Sequence, residues 1–202
     1  MTSHNLTVFL LLHVVCILTG SLAAADDNND PPDRVRSFED LLGQLDRDSV
    51  LHQAISARKV VRIPTRVGDK QTYLEIRWRQ QDGVVQFAQI LPLEIAAQRM
   101  PAMETGMARI NFAMSVPGVE LDHKRRLAAY RLSVPFKTRG GITADELRAY
   151  IQMTHASAQH LIAPFRRIAE DAEDPIDVID SLTESADRKG NLPSDKAAGD
   201  AN

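Results

Sequence analysis

The sequence predicts an α+β protein: an antiparallel sheet of about five strands with helices packed on one face, in the order α-βββ-α-ββ-α. Three observations support this fold class. Residues 128–136 alternate apolar and polar side chains, the pattern of a strand with one buried face. Residues 103–114 place methionine and isoleucine at helical spacing along one stripe. Residues 143–146, Thr-Ala-Asp-Glu, form a capping box that begins another helix. Packing the helices on one sheet face buries all of these apolar surfaces.

The first elements are a helix and a run of three strands. Ser37 is a good helix N-cap, with Asp40 three residues later, and apolar residues follow at helical spacing as far as Leu45. Residues 50–55 are consistent with a second helical piece. Three strands are then predicted, at residues 60–66, 72–79 and 84–91, with Asp82-Gly83 as the hairpin turn before the last of them.

The next elements are a helix and two strands. Pro101 suits the first turn of a helix, and strands are predicted around residues 119–121 and over 128–136. Four methionines in or beside the helix are also candidate thioether ligands for Cu(I): Met100, Met103, Met107 and Met114. Three of them lie on the apolar stripe of the helix, which favours packing in the core.

The last helix follows a break in the chain. Gly140-Gly141 is interpreted as a positive-φ break before the cap at Thr143. The helix carries apolar residues as far as Ile168. Pro164 is expected to kink this helix or to restart it after His160, because proline lacks the donor that a helix interior needs.

Both ends of the chain differ in composition from the middle. Residues 1–25 combine a short apolar run with small residues at Ala23 and Ala25, the pattern of a signal peptide cleaved before Asp26. Because no Lys or Arg precedes the apolar run, an uncleaved N-terminal anchor is the alternative. The remaining boundaries are an acidic linker at residues 26–36, a folded domain at 37–170 and an acidic, largely disordered tail at 171–202, in which Val178, Ile179 and Leu182 are consistent with one amphipathic turn. The chain is therefore expected to be exported, periplasmic or extracellular, without stable membrane insertion after cleavage.

Cysteine content and charge narrow the function classes. The only cysteine, Cys16, lies in the predicted signal peptide, so the mature protein is expected to lack disulfides and cysteine-based sites. Residues 34–170 carry 21 of the 24 basic residues and 14 of the 27 acidic ones, a net charge of about +7 in a chain of net charge −3. Such a domain favours an anionic partner, or it is a solvated surface that the acidic tail partly neutralises.

Four segments resemble the YbjN-like family, which shares the fold of class I type III secretion chaperones. They are residues 108–113 (Ala-Arg-Ile-Asn-Phe-Ala), 118–121 (Gly-Val-Glu-Leu), 131–136 (Arg-Leu-Ser-Val-Pro-Phe) and 142–147 (Ile-Thr-Ala-Asp-Glu-Leu). The resemblance covers roughly Ser37 to Ile168 and implies a module without catalytic activity that binds partners and often dimerises. Secretion chaperones are cytosolic, whereas this chain carries an export signal, so escort of secreted effectors is not expected. Binding of an extended peptide or a second copy remains expected, for instance by strand addition at a sheet edge.

The candidate partner-binding residues are Arg77, Arg79 and Arg131. Strand alternation places them, with Ser133, on the sheet face opposite the helices. A protein partner or a homodimer is expected there, and binding of a small ligand or of an anionic envelope component is the alternative. No cofactor is predicted. Nucleic acid is not expected as a partner, because no stacking pattern of aromatic residues accompanies the basic ones.

The residues that offer chemistry also have structural explanations. Glu120 and Asp122 lie on one side of a strand beside His123, so a hydrolase that uses this group is a further alternative to an exposed charged turn. His155 and His160 are five residues apart on a helix and do not share a face as a metal pair would, so exposed or capping roles are favoured. No nucleophile elbow, phosphate loop or dinucleotide fingerprint is present. The sequence thus predicts no catalytic or metal-binding residues, and the protein is expected not to be an enzyme.

Overall fold

The computed structural model describes residues 34–114, 116 and 118–190. The helices are α1 (Phe38–Arg47), α2 (Met100–Ala113), α3 (Ala144–Ala169) and α4 (Pro175–Gly190). The strands are β1 (Arg34–Val35), β2 (Gln53–Ile55), β3 (Val60–Val67), β4 (Lys70–Arg79), β5 (Val84–Leu91), β6 (Val119–Asp122), β7 (Leu127–Pro135) and β8 (Ile142–Thr143). Six strands form an antiparallel sheet in the order β2-β3-β4-β5-β7-β6, and β1 pairs with β8. The predicted α+β class is confirmed.

Alternation along the strands decides which sheet face the helices cover. Leu74, Ile76 and Trp78 of β4 are buried, and the same holds for every second residue of β5 and β7. Helix α3 packs across β5, β7 and β3, while α2 packs against β6, α3 and α4. The predicted methionine stripe lies in this core, since Met103 and Met107 are buried. One face is thus covered, and the other is left to the polar residues between the buried ones.

The predicted helix starts are confirmed in atomic detail. Ser37 Oγ accepts from the Asp40 N–H at 3.0 Å, and the Asp40 carboxylate accepts from the Ser37 N–H at 3.0 Å. Thr143 and Glu146 form the same reciprocal pair at the start of α3. Gly140 and Gly141 have φ values of 66° and 110°, so the predicted positive-φ break is present.

The predicted helical piece at residues 50–55 is wrong. Ser49 adopts φ 54°, a left-handed conformation that ends α1. The chain then runs extended, and β2 pairs with residues 60–62 of β3. The sheet therefore has six strands instead of about five.

Helix α3 does not restart at Pro164. It continues as one element of 26 residues in which Pro164 is buried. The neighbouring Leu161, Ile162 and Phe165 are buried against the sheet and the other helices. Tertiary packing on both sides of the proline outweighs the lost intrahelical hydrogen bond.

Two domain boundaries need correction. The predicted disordered tail begins at residue 171, but α4 occupies 175–190, with Val178 and Ile179 buried. The predicted linker extends to residue 36, but Val35 is buried and pairs with Ile142. In both places a few apolar residues pack onto the domain despite polar surroundings. The predicted signal peptide and residues 26–33 lie outside the described residues, as do 191–202. Within the described part of the chain, no helix has the length and apolar character needed to cross a membrane.

Candidate functional site

The uncovered sheet face carries the predicted arginines. The register aligns Arg77 with Gln86 and Ser133, and Glu75 with Ala88 and Arg131. Arg79 lies one step further along β4, opposite Val84. All three predicted arginines therefore lie on one face of the sheet, as the alternation of the strands predicts. We call this surface the open face: the outward residues of β4, β5, β6 and β7.

A shallow concavity of about 200 Å³ lies in the middle of the open face. Its floor consists of short or apolar side chains on β5 and β7: Ala88, Ile90, Leu127 and Ala129. Longer charged side chains from β4 on one side and from β6 and β7 on the other form its walls. The concavity exists because two alanines lie between rows of arginine and glutamate.

The β4 wall is a chain of ion pairs. The Glu75 carboxylate accepts from Arg62 Nε at 3.0 Å and lies 3.5 Å from Arg77 Nη2. The Arg62 guanidinium also stacks 4.6 Å above the ring of Tyr73. Glu75 is only 16% exposed, so it is the anchor that orients both arginines.

The opposite wall is paired in the same way. Arg131 Nη2 lies 2.8 Å from Glu120 Oε2, across the β6–β7 pair. Asp122 Oδ1 accepts from the Arg125 N–H at 2.9 Å and thereby shapes the turn after β6. Arg79 is different, because it lies outside the concavity and pairs with Asp82 of the β4–β5 turn at 2.6 Å.

The electrostatic balance of the concavity follows from these pairs. Three arginines and three carboxylates line it: Arg77, Arg125, Arg131, Glu75, Glu120 and Asp122. The lining has no net formal charge, although the domain is basic. A ligand of a single sign would meet as many like charges as opposite ones. A protein surface that carries both positive and negative charges would complement this lining better.

Glu120, Asp122 and His123, the residues considered for acid–base chemistry, do not share one environment. Glu120 and Asp122 both line the concavity, as predicted. His123 does not join them, because its Nε2 lies 2.9 Å from Glu104 Oε1 of α2. All three side chains are 45% exposed or more. The three residues therefore do not form one cluster. Within the described residues no group of three or more His, Cys, Asp and Glu side chains is placed to hold a metal ion.

A polar network under the opposite face of the sheet joins buried Gln89 to half-buried His155 and exposed Gln159. Gln89 of β5 is fully buried, and His155 Nδ1 lies 3.2 Å from its Oε1. His155 Nε2 lies 3.2 Å from Nε2 of Gln159, whose amide bonds the backbone of Arg66 and Gly68. The prediction of an exposed or capping role for His155 is therefore wrong. The signal in the sequence is Gln89 itself, a polar residue at an inward position of an otherwise apolar alternation.

Two side chains occupy backbone groups that no neighbouring strand pairs with, one at the β6 edge and one near the end of β3. At the β6 edge, Asn111 of α2 donates to the Val119 C=O at 2.9 Å and accepts from the Val119 and Gly118 N–H groups. At the β3 edge, beyond β2, Pro64 has no N–H to offer, and Gln159 Nε2 occupies the Arg66 C=O. Such devices prevent pairing with another strand. Strand addition, expected from the sequence, therefore has little free backbone at these positions.

A second exposed feature is Phe112, whose side chain is 88% exposed at the C-terminal end of α2. Val116, 39% exposed, follows four residues later. Phe112 and Val116 are exposed apolar side chains at the end of α2 and in the connection to β6, and neither lines the concavity.

No family model, curated protein or solved structure matches this chain.

Proposed function

We propose that this chain is an exported, non-enzymatic module of the YbjN-like type that binds a protein partner, or a second copy of itself, in the bacterial cell envelope. The open face is the observation that carries this proposal. It combines a small apolar floor with a rim of charged side chains, the usual composition of a protein-binding surface. At the β6 edge, the bonds from Asn111 to Val119 leave little free backbone for strand addition, which favours binding through the open face.

The alternative of a small ligand or an anionic envelope component receives less support. Arg77 and Arg131 already have carboxylate partners, and the concavity lining is formally neutral. An anion would have to displace Glu75 or Glu120 from these arginines. If the alternative holds, binding to anionic lipid or polymer falls with added salt and is abolished by Arg131→Glu.

The hydrolase alternative also receives less support. Glu120 is neutralised by Arg131, and His123 interacts with Glu104 on another element. The Glu120 and Asp122 side chains are both exposed to solvent instead of enclosed in a cleft with His123. We therefore assign no catalytic residue.

Replacing Ala129 with arginine tests the open face directly. The new side chain fills the floor of the concavity while the buried face of β7 is unchanged. We expect capture of partners from envelope extract, or self-association measured by light scattering, to fall by about tenfold or more, as for a steric block at an interface centre.

Ala108→Arg is the matched control, because it introduces the same side chain at an exposed position of α2, on the covered side of the sheet. Its binding is expected to equal that of the native chain. Equal binding by both variants would move the interface away from the open face. The exposed side chains of Phe112 and Val116 would then be the next to test.

The N-terminus of the protein recovered from cells tests export. We expect intact mass and N-terminal sequencing to give Asp26 as the first residue of a protein from the envelope fraction. A chain that retains residues 1–25 in the membrane fraction would support the anchor alternative. A full-length chain in the cytosol would contradict export.

A further inference from the structure

The orientation of the Gln159 amide is fixed by two backbone groups. The Gly68 N–H must donate, so it faces Oε1 at 3.0 Å, and the Arg66 C=O must accept, so it faces Nε2 at 2.5 Å. These two bonds attach the β3–β4 turn to helix α3. The remaining hydrogen of the Gln159 amide points to His155 Nε2, 3.2 Å away.

The orientation of the Gln89 amide is fixed in the same way. Its Nε2 donates to the Tyr73 C=O at 3.1 Å, so its Oε1 faces Thr65 and His155. His155 Nδ1 must therefore donate to Gln89, while Nε2 must accept from Gln159. Only the neutral imidazole with its proton on Nδ1 satisfies both neighbours.

Protonation of His155 conflicts with this arrangement. A proton on Nε2 would face the NH2 group of Gln159, which is also a donor. The conflict is relieved if Gln159 turns its oxygen toward His155, but the amide then loses its partners at Gly68 and Arg66. One amide cannot serve both the protonated imidazole and the turn.

We propose that His155 and Gln159 form a proton-operated latch, which holds the β3–β4 turn against α3 when His155 is neutral and releases it when His155 is protonated. This role rests on the proposed export, which would place the latch in contact with the pH outside the cytoplasm. Burial of His155 acts in the same direction, because desolvation lowers its pKa and favours the neutral form in the folded protein. The contribution of neutral His155 to the free energy of unfolding is therefore complete above the unfolded-state pKa of this histidine, near 6.5. It is lost as the pH falls below that value.

The other charged groups at this interface do not replace the latch. The turn contributes Asp69, which pairs with Arg166 of α3 at 2.9 Å. A hydrogen bond from Arg166 holds the pKa of Asp69 below its usual range, so this ion pair persists in mild acid. Lys70 lies 3.7 Å from Glu170, and Gln89, Thr65 and the Tyr73 carbonyl contribute no charge. Release is therefore expected to be local to the backbone bonds of Gly68 and Arg66.

Hydrogen exchange of the Gly68 amide tests the latch, after correction for the intrinsic pH dependence of exchange. Between about pH 7.5 and about pH 5 we expect protection to fall about fivefold, the change that loss of one neutral hydrogen bond produces. His155→Gln, which cannot titrate, is expected to give the same protection at both pH values. His123→Gln removes a histidine elsewhere and is expected to keep the native response.

Two further measurements test the proposal even if His155→Gln fails to fold. Gln159→Ala is expected to give low protection at both pH values, because it removes the bond to Gly68 permanently. Long-range ¹H–¹⁵N spectra of the native chain are expected to show the Nδ1–H tautomer of His155 at neutral pH. An Nε2–H tautomer, or a pH response that survives in His155→Gln, overturns the proposal.

Discussion

Replacing Val178 with aspartate is expected to destabilise the protein by about 3 kcal/mol or more, because it places an unpaired carboxylate where the valine is fully buried. Val178 lies in the first turn of α4, and Ile179 beside it is also buried. The site is close-packed. A Cβ added at Gly106 of α2 would lie 2.7 Å from Ile168 and 3.6 Å from Pro175. The helix therefore cannot shift to expose the new charge without leaving α2.

Ile176→Asp is the matched control for this prediction. It introduces the same charge in the same turn of α4, but Ile176 is 42% exposed. We expect its effect on the free energy of unfolding to stay within about 1 kcal/mol. Chemical denaturation compares the two variants, and limited proteolysis near residue 174 shows whether α4 has detached. If both variants are equally stable, residues 175–190 behave as the disordered tail that composition predicts.

The composition of residues 171–190 led to a prediction of disorder for a segment that is mostly helical. Residues 171–190 are acidic and contain few apolar side chains, so they resemble a disordered segment. What orders them is not local. Arg99 donates to the carbonyls of Ile168 and Glu173, and Arg167 pairs with Glu173 at 2.6 Å, which directs the chain back toward α2. The spacing of Val178, Ile179 and Leu182 indicates one amphipathic turn, but nothing in the tail shows that the lack of a side chain at Gly106 lets α4 pack against α2.

The sequence predicts those parts of the candidate site that follow from the alternation of side chains along one strand. It does not predict those that follow from which strands pair. Alternation alone placed Arg77 and Arg131 on one face, because side chains two residues apart share a side. The partner of Arg131 is Glu120, which becomes its neighbour only through the β6–β7 register. A basic face expected from the sequence thus becomes a neutral concavity. The change matters because it redirects the proposal from an anion to a partner that carries both signs.

Replacing Asn111 with alanine is expected to cost about 3 kcal/mol of stability, because the side chain makes three hydrogen bonds to the backbone of Gly118 and Val119. The backbone at Gly118 has little room to rearrange when the Asn111 side chain is removed. A Cβ on Gly118 would lie 2.1 Å from the Arg131 carbonyl, so the backbone there is held close to β7. Thr105→Ala is the control on the same helix. It removes one exposed hydrogen bond within α2, to the Pro101 carbonyl, and is expected to cost less than about 1 kcal/mol.

The same variant separates two ways in which the chain can meet another molecule. In Asn111→Ala the Val119 N–H and C=O become available at the edge of the sheet, and an exposed edge pairs readily with a second strand. We expect sedimentation velocity to show concentration-dependent association of this variant beyond that of the native chain. Association that Ala129→Arg abolishes belongs to the open face, whereas association that persists in the double variant belongs to β6. If Asn111→Ala is as stable as Thr105→Ala and gains no association, Asn111 does not protect the edge, and strand addition at β6 again becomes a route to the partner.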